Sequence, residues 1–180
     1  MFSYLTREQI EASKIEEVDI SLNNIQRSAS EMVEKLSDIV WLVNPEKDQL
    51  KKLLERLEQY AEGIAAVKGM EVKMTISPGL TNVTLPVERR RNIYLFCKEA
   101  INNAVKYSEA KLIELHMQET ESKKFEISIS DDGKGFDTAT VRNGNGLVNM
   151  KQRAEDIGGV YSLQTQPGGG TKISCTFKIT

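Results

Sequence analysis

Apolar residues recur every three or four positions along the first quarter of the chain. The repeat runs from Ile15 to Val43 and contains Val18, Leu22, Ile25, Ala29, Met32, Leu36 and Ile39. Heptad spacing of this kind, with charged residues between, predicts a coiled-coil or bundle helix. The alternative is one amphipathic helix lying on a globular core. At ~1.5 Å per residue, however, the helix would be ~40 Å long, which exceeds the face of a small domain.

A second helix is predicted after a proline. Asn44-Pro45 interrupts the first pattern, because asparagine can cap a new helix and proline suits its first turn. The second apolar face begins at Leu50, and Lys68-Gly69 supplies the stop signal. The two helices together predict an antiparallel hairpin from a four-helix bundle made by two chains. Residues 1–68 would then form a helical dimerisation stalk.

From residue 69 to 180 the pattern changes to short alternating runs typical of strands, interspersed with helical patterns. Strands are predicted at residues 72–76, 112–117, 125–130, 160–165 and 172–179, and helices at 86–107 and 147–157. Consecutive strands with interspersed helices predict an α+β fold, a two-layer sandwich with a mixed sheet.

Composition narrows the kind of protein. The 180 residues are 39% hydrophobic and 28% charged, which is enough for one core and a helical appendage. A formal net charge of -2 gives no general attraction to nucleic acid or anionic membranes. Because no apolar run approaches ~20 residues, we expect a cytosolic portion of a protein. Cys97 and Cys175 lie in apolar patterns and are predicted to be reduced, buried thiols.

The helix predicted at 86–107 carries the first candidate for chemistry. Glu99 and Asn103 are four residues apart, so their side chains project from one helix face. Carboxylate and amide oxygens suit Mg²⁺, which keeps several waters and needs few protein ligands. Lys106, one turn further on, can reach a phosphate oxygen. Taken alone, the pair is more commonly a solvated helix face.

A second candidate follows a predicted strand. Asp131 is followed by Gly133 and Gly135, and glycine permits positive φ and close approach of a ligand. The carboxylate can accept a hydrogen bond from an amino group. A plain turn between two strands is the alternative.

Glycines also precede the last predicted helix. Gly144 and Gly146 stand just before Leu147, where free backbone N–H groups and the positive helix end can face an anion such as a triphosphate. One such pair of glycines is a weak signal by itself. A further glycine run ends at Thr171, which opens the last predicted strand.

The order of these segments resembles the GHKL ATPases, the superfamily of histidine kinases, gyrase, heat-shock chaperones and mismatch-repair ATPases. The four matching segments are residues 99–106, 131–135, 144–147 and 168–171. The resemblance implies the Bergerat-type ATP-binding fold with ATP and Mg²⁺ as cofactors. It implies Asn103 as the direct magnesium ligand, Glu99 as the catalytic residue that polarises a water, and Asp131 as the reader of the adenine amine. Asp132 would reach the base through water.

The run from Gly146 to Gly159 narrows the branch. It resembles sensor histidine kinases of the nitrate-sensor and lipid-sensor type, and residues 39–45 resemble the end of their first stalk helix. The short stretch between Gly135 and Gly144 leaves room for a short lid only. This resemblance implies transfer of the γ-phosphoryl group of MgATP to a histidine and then to a cognate response regulator. It also implies a homodimer whose parent protein is membrane-bound.

The phosphoacceptor is missing from this sequence. No histidine precedes His116, which lies in a strand pattern and is expected to be structural. The chain is therefore expected to be a fragment that begins after the acceptor, or a degenerate kinase. Two other functions stay open, namely a non-catalytic dimerisation module with a vestigial nucleotide pocket and an anti-sigma-type serine kinase. The long stalk argues against the serine kinase. Arg153 is equally compatible with a surface ion pair and with a role near the lid.

Overall fold

The computed structural model describes residues 15–44, 49–78, 80, 83–139 and 145–178. The chain divides into two compact units, Met1–Asn44 and Pro45–Thr180. In the first unit the described residues form one helix, α1 (Ile15–Val43). Its bounds are those that the heptad pattern predicts.

Helix α1 carries an exposed apolar stripe. Four residues of the heptad repeat are about half exposed or more: Leu22 (49%), Ile39 (54%), Met32 (61%) and Leu36 (61%). Contiguous apolar surface of this kind marks an interaction face in water-soluble helices. The stripe that the sequence assigns to a bundle seam is therefore open along α1.

In the second unit the described residues form three helices and five strands. Its elements are α2 (Leu50–Ala66), β1 (Glu71–Ile76), α3 (Val87–Tyr107), β2 (Leu112–Glu119), β3 (Phe125–Asp131), α4 (Asn145–Asp156), β4 (Val160–Thr165) and β5 (Thr171–Phe177). The five strands form one sheet in the order β1-β2-β3-β5-β4. Strands β1 and β2 are parallel and the other neighbours are antiparallel. The predicted α+β fold with a mixed sheet is confirmed.

One face of the sheet packs against α3 and α4 and forms the core. Ile127 and Ile129 of β3 lie opposite Cys175 and Ile173 of β5, and all four side chains are buried. Alternation along the strands places every second residue on this face. The ring of Phe96 on α3 meets that of Tyr161 on β4 edge to face, with centroids 6.3 Å apart. This contact fixes α3 over the sheet at β4.

Both cysteines belong to this core. Cys97 and Cys175 are buried free thiols, as the sequence predicts. Burial raises the pKa of Cys97 well above its usual value and raises that of Cys175 to about 12. Neither thiol is ionised near neutral pH, so both act as small apolar side chains.

Helix α2 packs within the second unit. Leu50, Leu53, Leu54 and Leu57 are almost fully buried, and the helix contacts α3 and β1. The backbone N–H of Leu50 also donates to the carbonyl of Val83, at 2.7 Å. The structure thus places the unit boundary after Asn44, which differs from the predicted boundary after residue 68. The apolar stripe of a helix can pack against other helices of a bundle or against a sheet. The spacing of its apolar residues therefore does not identify which element covers it.

Two helix starts differ from the sequence interpretation. Helix α2 begins at Leu50, with Gln49 at the N-cap position, rather than directly after Pro45, which lies outside the described residues. Helix α4 begins at Asn145 and not at Leu147, so Gly146 is inside its first turn. The predicted stop of α2 is present, because Gly69 adopts the left-handed φ of +67°.

Candidate functional site

Glu99 and Asn103 are placed side by side on α3 and face the start of α4. Both side chains are half-buried. A Cβ built on Gly146 would be in hard contact with Glu99 Oε1, and 3.6 Å from Asn103 Nδ2. The first turn of α4 therefore lies directly against Glu99, the predicted catalytic residue, and beside Asn103, the predicted magnesium ligand; only glycine leaves the carboxylate where it is.

The start of α4 has the geometry of an anion site. The first turns of a helix leave backbone N–H groups without partners inside the helix, and these carry the positive end of the helix dipole. Leu147 is half-buried in this turn. Gly144 lies outside the described residues. Lys106 is exposed in the last turn of α3, one turn beyond Asn103.

Asp131 stands in a row of side chains at one end of the sheet. Strand register places it opposite Thr171 of β5, and Thr171 lies opposite Thr165 of β4. Directly opposed residues in antiparallel strands project from the same face. Every second residue of β3 lies on the same face of the sheet, so Asp131 shares the face of Ile127 and Ile129, which the helices cover. Its register partners Thr171 and Thr165 therefore lie on that face too.

The Asp131 carboxylate is held by a backbone donor. Its Oδ1 accepts a hydrogen bond from the N–H of Gly133 at 3.0 Å. Burial raises the pKa of Asp131, and the backbone donor of Gly133 opposes that shift. A half-buried acceptor with its orientation fixed in this way can receive a hydrogen bond from an amino group.

The loop after Asp131 is fastened to two neighbouring segments. The N–H of Lys134 donates to the Ser108 carbonyl at the end of α3 (2.8 Å), and the N–H of Gly168 donates to the Lys134 carbonyl (2.6 Å). The Lys134 ammonium also meets the Glu109 carboxylate at 2.6 Å. The loop is therefore hydrogen-bonded to the end of α3 on one side and to the turn between β4 and β5 on the other.

The two glycines of the loop have different roles. Gly135 has a φ of +56°, as predicted, and a Cβ there would collide with the carbonyl oxygen of Gln166. Gly133 does not adopt positive φ; a Cβ there would collide with the Ser108 carbonyl and lie 2.8 Å from Asp131 Oδ1. The close approach at Gly133 is therefore made by the protein itself and keeps the Asp131 carboxylate in place.

Asp132 has a structural role. Its Oδ1 accepts the N–H groups of Lys111 and Leu112, at 2.8 and 2.9 Å. Both hydrogen bonds lower the pKa of Asp132, and the bond from Leu112 has the larger effect. The carboxylate thereby ties the end of β3 to the start of β2, a contact that the predicted role at the base does not require.

An open cleft of about 510 Å³ lies at the Asp131 end of the sheet. Its lining includes Asp131, Thr165 and Thr171. Glu99 and Asn103 are not among the lining residues. They lie back along α3 from Ser108, with Asn103 about 7–8 Å and Glu99 about 13–14 Å along the axis, at ~1.5 Å per residue. A ligand with an amino-bearing base at Asp131 and an anionic tail towards Gly146 would pass Asn103 before Glu99.

Sequence reasoning missed two residues of this region. Thr165 contacts the loop after Asp131, because its Oγ1 accepts the N–H of Phe136 at 3.1 Å. Asn92, two turns before Glu99 on α3, accepts a long hydrogen bond of 3.4 Å from Arg153 of α4. Burial and the neighbouring Arg91 lower the pKa of Arg153. The signal for Thr165 is its position opposite Thr171, which becomes visible only when the register between β4 and β5 is known.

The donor set fits a magnesium-bound nucleotide. Asn103 offers an amide oxygen and Glu99 a carboxylate, the hard oxygen ligands that Mg²⁺ takes in small number beside nucleotide phosphates. Gly146 leaves the space in front of them that any larger side chain would fill. The start of α4 supplies N–H groups for phosphate at the same place.

Comparison with known proteins places this geometry in a family. The profile of the histidine kinase-, DNA gyrase B- and HSP90-like ATPases matches residues 88–180, just over half of the chain. The chain belongs to this family. The matched range begins at the first turn of α3 and includes Glu99, Asn103, Asp131, Gly146 and Thr171. The resemblance inferred from the four segments is confirmed.

Two relatives of this chain are named as histidine kinases. An uncharacterised sensor-like histidine kinase of Chloroflexus aurantiacus is 30% identical over 66% of this chain and 21% of its own length. The histidine-protein kinase/phosphatase DegS of Brevibacillus brevis is 34% identical over 49% of this chain and 23% of its own length. The chain thus spans about a fifth to a quarter of the relatives it matches.

A solved structure shares the fold. Full-length ShkA, determined in complex with AMPPNP, superposes with a TM-score of 0.66 at 17% identity. The match covers 89% of this chain and 38% of ShkA. Among the residues that the present structure describes, no helix is both long and apolar enough to cross a membrane.

Proposed function

We propose that the second unit binds MgATP and forms the catalytic part of a sensor histidine kinase. The observation that carries this proposal is the close approach of Gly146 to the Glu99 carboxylate, with the Asn103 side chain beside it, which brings a helix start suited to phosphate next to a magnesium-type donor pair. The adenine amine is received by Asp131. The phosphates lie at the first turn of α4, and Asn103 contributes a ligand to the ion. The AMPPNP complex of ShkA supports nucleotide binding by this fold.

The site residues contribute to phosphoryl transfer in two ways, by positioning the reactants and by stabilising charge. Bound Mg²⁺ neutralises charge on the transferring phosphoryl group. Glu99 holds a water or the attacking group beside that phosphoryl group through its half-buried carboxylate. The N–H groups of α4 fix the phosphate chain, and Asp131 fixes the base. Most of the rate enhancement then comes from holding the two reactants in line.

The phosphoacceptor comes from a part of the kinase other than this chain. No histidine precedes His116, and His116 itself is half-buried in β2, 4.0 Å from the Glu114 carboxylate. The exposed stripe of α1 is the face through which two copies pair as a homodimer and present two catalytic units. The phosphoryl group passes next to the aspartate of a cognate response regulator.

Two measurements test this function. Calorimetric titration of the chain with MgATP should show binding that Asp131→Asn weakens by tenfold or more, because an amide offers a ligand amine a weaker acceptor than a carboxylate. A longer native protein that includes an upstream histidine should incorporate label from γ-labelled ATP, and Glu99→Gln should abolish the labelling without abolishing binding.

The outcomes separate kinase from interaction module. The exposed stripe of α1 equally suits a dimerisation module with a vestigial pocket. Dimerisation without any MgATP binding would favour that module. Binding of MgATP without labelling of the longer protein would contradict the kinase activity while leaving the nucleotide site in place.

A further inference from the structure

Thr165 lies at a junction of three segments. Its Oγ1 is 3.1 Å from the N atom of Phe136, 3.0 Å from the carbonyl oxygen of Gly170 and 3.2 Å from Oγ1 of Thr171. Thr171 in turn is the register partner of Asp131. The hydroxyl of Thr165 therefore contacts the loop after Asp131, the glycine turn and the residue beside the Asp131 carboxylate.

The three contacts can be satisfied together in one way only. A threonine hydroxyl has one hydrogen to donate and two lone pairs to accept with. The N–H of Phe136 can only donate and the carbonyl of Gly170 can only accept. The Thr165 hydrogen consequently goes to Gly170, and its second lone pair accepts the hydroxyl hydrogen of Thr171.

This arrangement fixes the polarity of Thr171. Because its hydrogen is engaged by Thr165, the Thr171 oxygen offers only lone pairs to the cleft. The adjacent Asp131 carboxylate, when ionised, is also an acceptor only. The two side chains line the same cleft, so together they present a pair of acceptors there. Such a pair receives an amino group with its two hydrogens and repels a carbonyl oxygen.

We infer that Thr165 is a positioning residue that sets base specificity, by holding Thr171 as an acceptor beside Asp131. The inference rests on the proposed ATP site. It assigns the choice between a purine with an amino group and one with a carbonyl group to Asp131, Thr171 and Thr165, which lie side by side on neighbouring strands. Without the Thr165 hydroxyl, the Thr171 hydroxyl is free to turn and donate to a carbonyl. Discrimination against guanine then falls.

The test compares ATP and GTP binding to three forms of the chain. Magnesium complexes of both nucleotides are titrated calorimetrically into wild type, Thr165→Val and Thr165→Ser. Valine keeps the β-branched shape and removes the hydroxyl, whereas serine keeps the hydroxyl. One hydrogen bond of ordinary strength is worth about a factor of ten in binding. We expect the ATP-to-GTP preference to fall about tenfold in Thr165→Val and to stay within about twofold of wild type in Thr165→Ser.

The ratio of the ATP affinity to the GTP affinity distinguishes a role in base specificity from a general structural disturbance of the site. A merely structural effect of Thr165→Val would lower both affinities and leave their ratio unchanged, and that result would overturn the inference. Loss of the preference in Thr165→Ser as well would overturn it too. If wild type binds no MgATP, the proposed function fails and this inference fails with it. Amide exchange at Phe136 provides a second measurement, since its protection should fall in Thr165→Val and return in Thr165→Ser.

Discussion

Replacing Gly146 by alanine tests the contact on which the site depends. The added methyl would meet Glu99 Oε1 in hard contact and lie 3.3 Å from Glu99 Cδ. The backbone at Gly146 does not adopt positive φ, so alanine is compatible with the main chain. The substitution therefore acts through the Glu99 side chain and not through backbone strain.

The effect on stability and the effect on activity should separate. Forcing a methyl into a rigid surrounding costs about 1–3 kcal/mol, but the Glu99 side chain is only half-buried and can rotate away. Alanine also gains up to ~1 kcal/mol over glycine in a helix. We expect the free energy of unfolding to change by less than about 1 kcal/mol. The displaced carboxylate, in contrast, should cost on the order of 10²-fold in phosphorylation rate, because a misplacement of ~1 Å has that effect.

The assay is the rate of histidine labelling in a longer native protein, with urea unfolding of the same variant. Gly63→Ala is the matched control, because Gly63 is exposed on α2 and a Cβ there would meet nothing within 4 Å. The control should gain ~0.5–1 kcal/mol of stability and keep its full labelling rate. Wild-type labelling by Gly146→Ala would refute the assignment of Glu99 as the catalytic residue.

Other substitutions test separate parts of the account. Asp131→Asn should stabilise the nucleotide-free chain at pH 7: burial raises the folded pKa above the unfolded one, so the ionised carboxylate destabilises the fold above the folded pKa. That difference should vanish below the unfolded pKa, which urea unfolding at pH 7 and at about pH 3 would show. Leu57→Ala should cost about 2–5 kcal/mol in the same assay, because Leu57 is fully buried; a cost below about 1 kcal/mol would contradict the packing of α2 in the second unit. Leu36→Asp should weaken dimerisation in analytical ultracentrifugation and leave MgATP affinity unchanged, since Leu36 lies on the exposed stripe of α1. An unaltered dimer would show that the stripe is not the dimer interface.

The elements with a clear period were predictable from the sequence. Helix α1 and strand β4 have the predicted bounds, and the other strands differ by one or two residues at their ends. Periodicity records which side chains avoid water, and this suffices for element type. It does not record what covers an apolar face, which is why α2 was assigned to a bundle and is found against β1 and α3.

The site was predictable as far as single segments define it. The four-residue spacing of Glu99 and Asn103 and the left-handed Gly135 follow from local geometry. The role of Gly133 depends on Ser108, and that of Thr165 depends on Thr171, so both require knowledge of which segments meet. Contacts between segments distant in sequence are fixed by strand register and helix packing, which residue spacing does not encode.

The measurement closest to the central claim is a crystal structure of the chain with Mg²⁺ and AMPPNP. The account predicts the exocyclic amine of adenine within hydrogen-bond distance of Asp131. It also predicts the ion coordinated by the Asn103 side-chain oxygen and the terminal phosphate between Glu99 and the first turn of α4. A nucleotide bound elsewhere, or with its base away from Asp131, would contradict it.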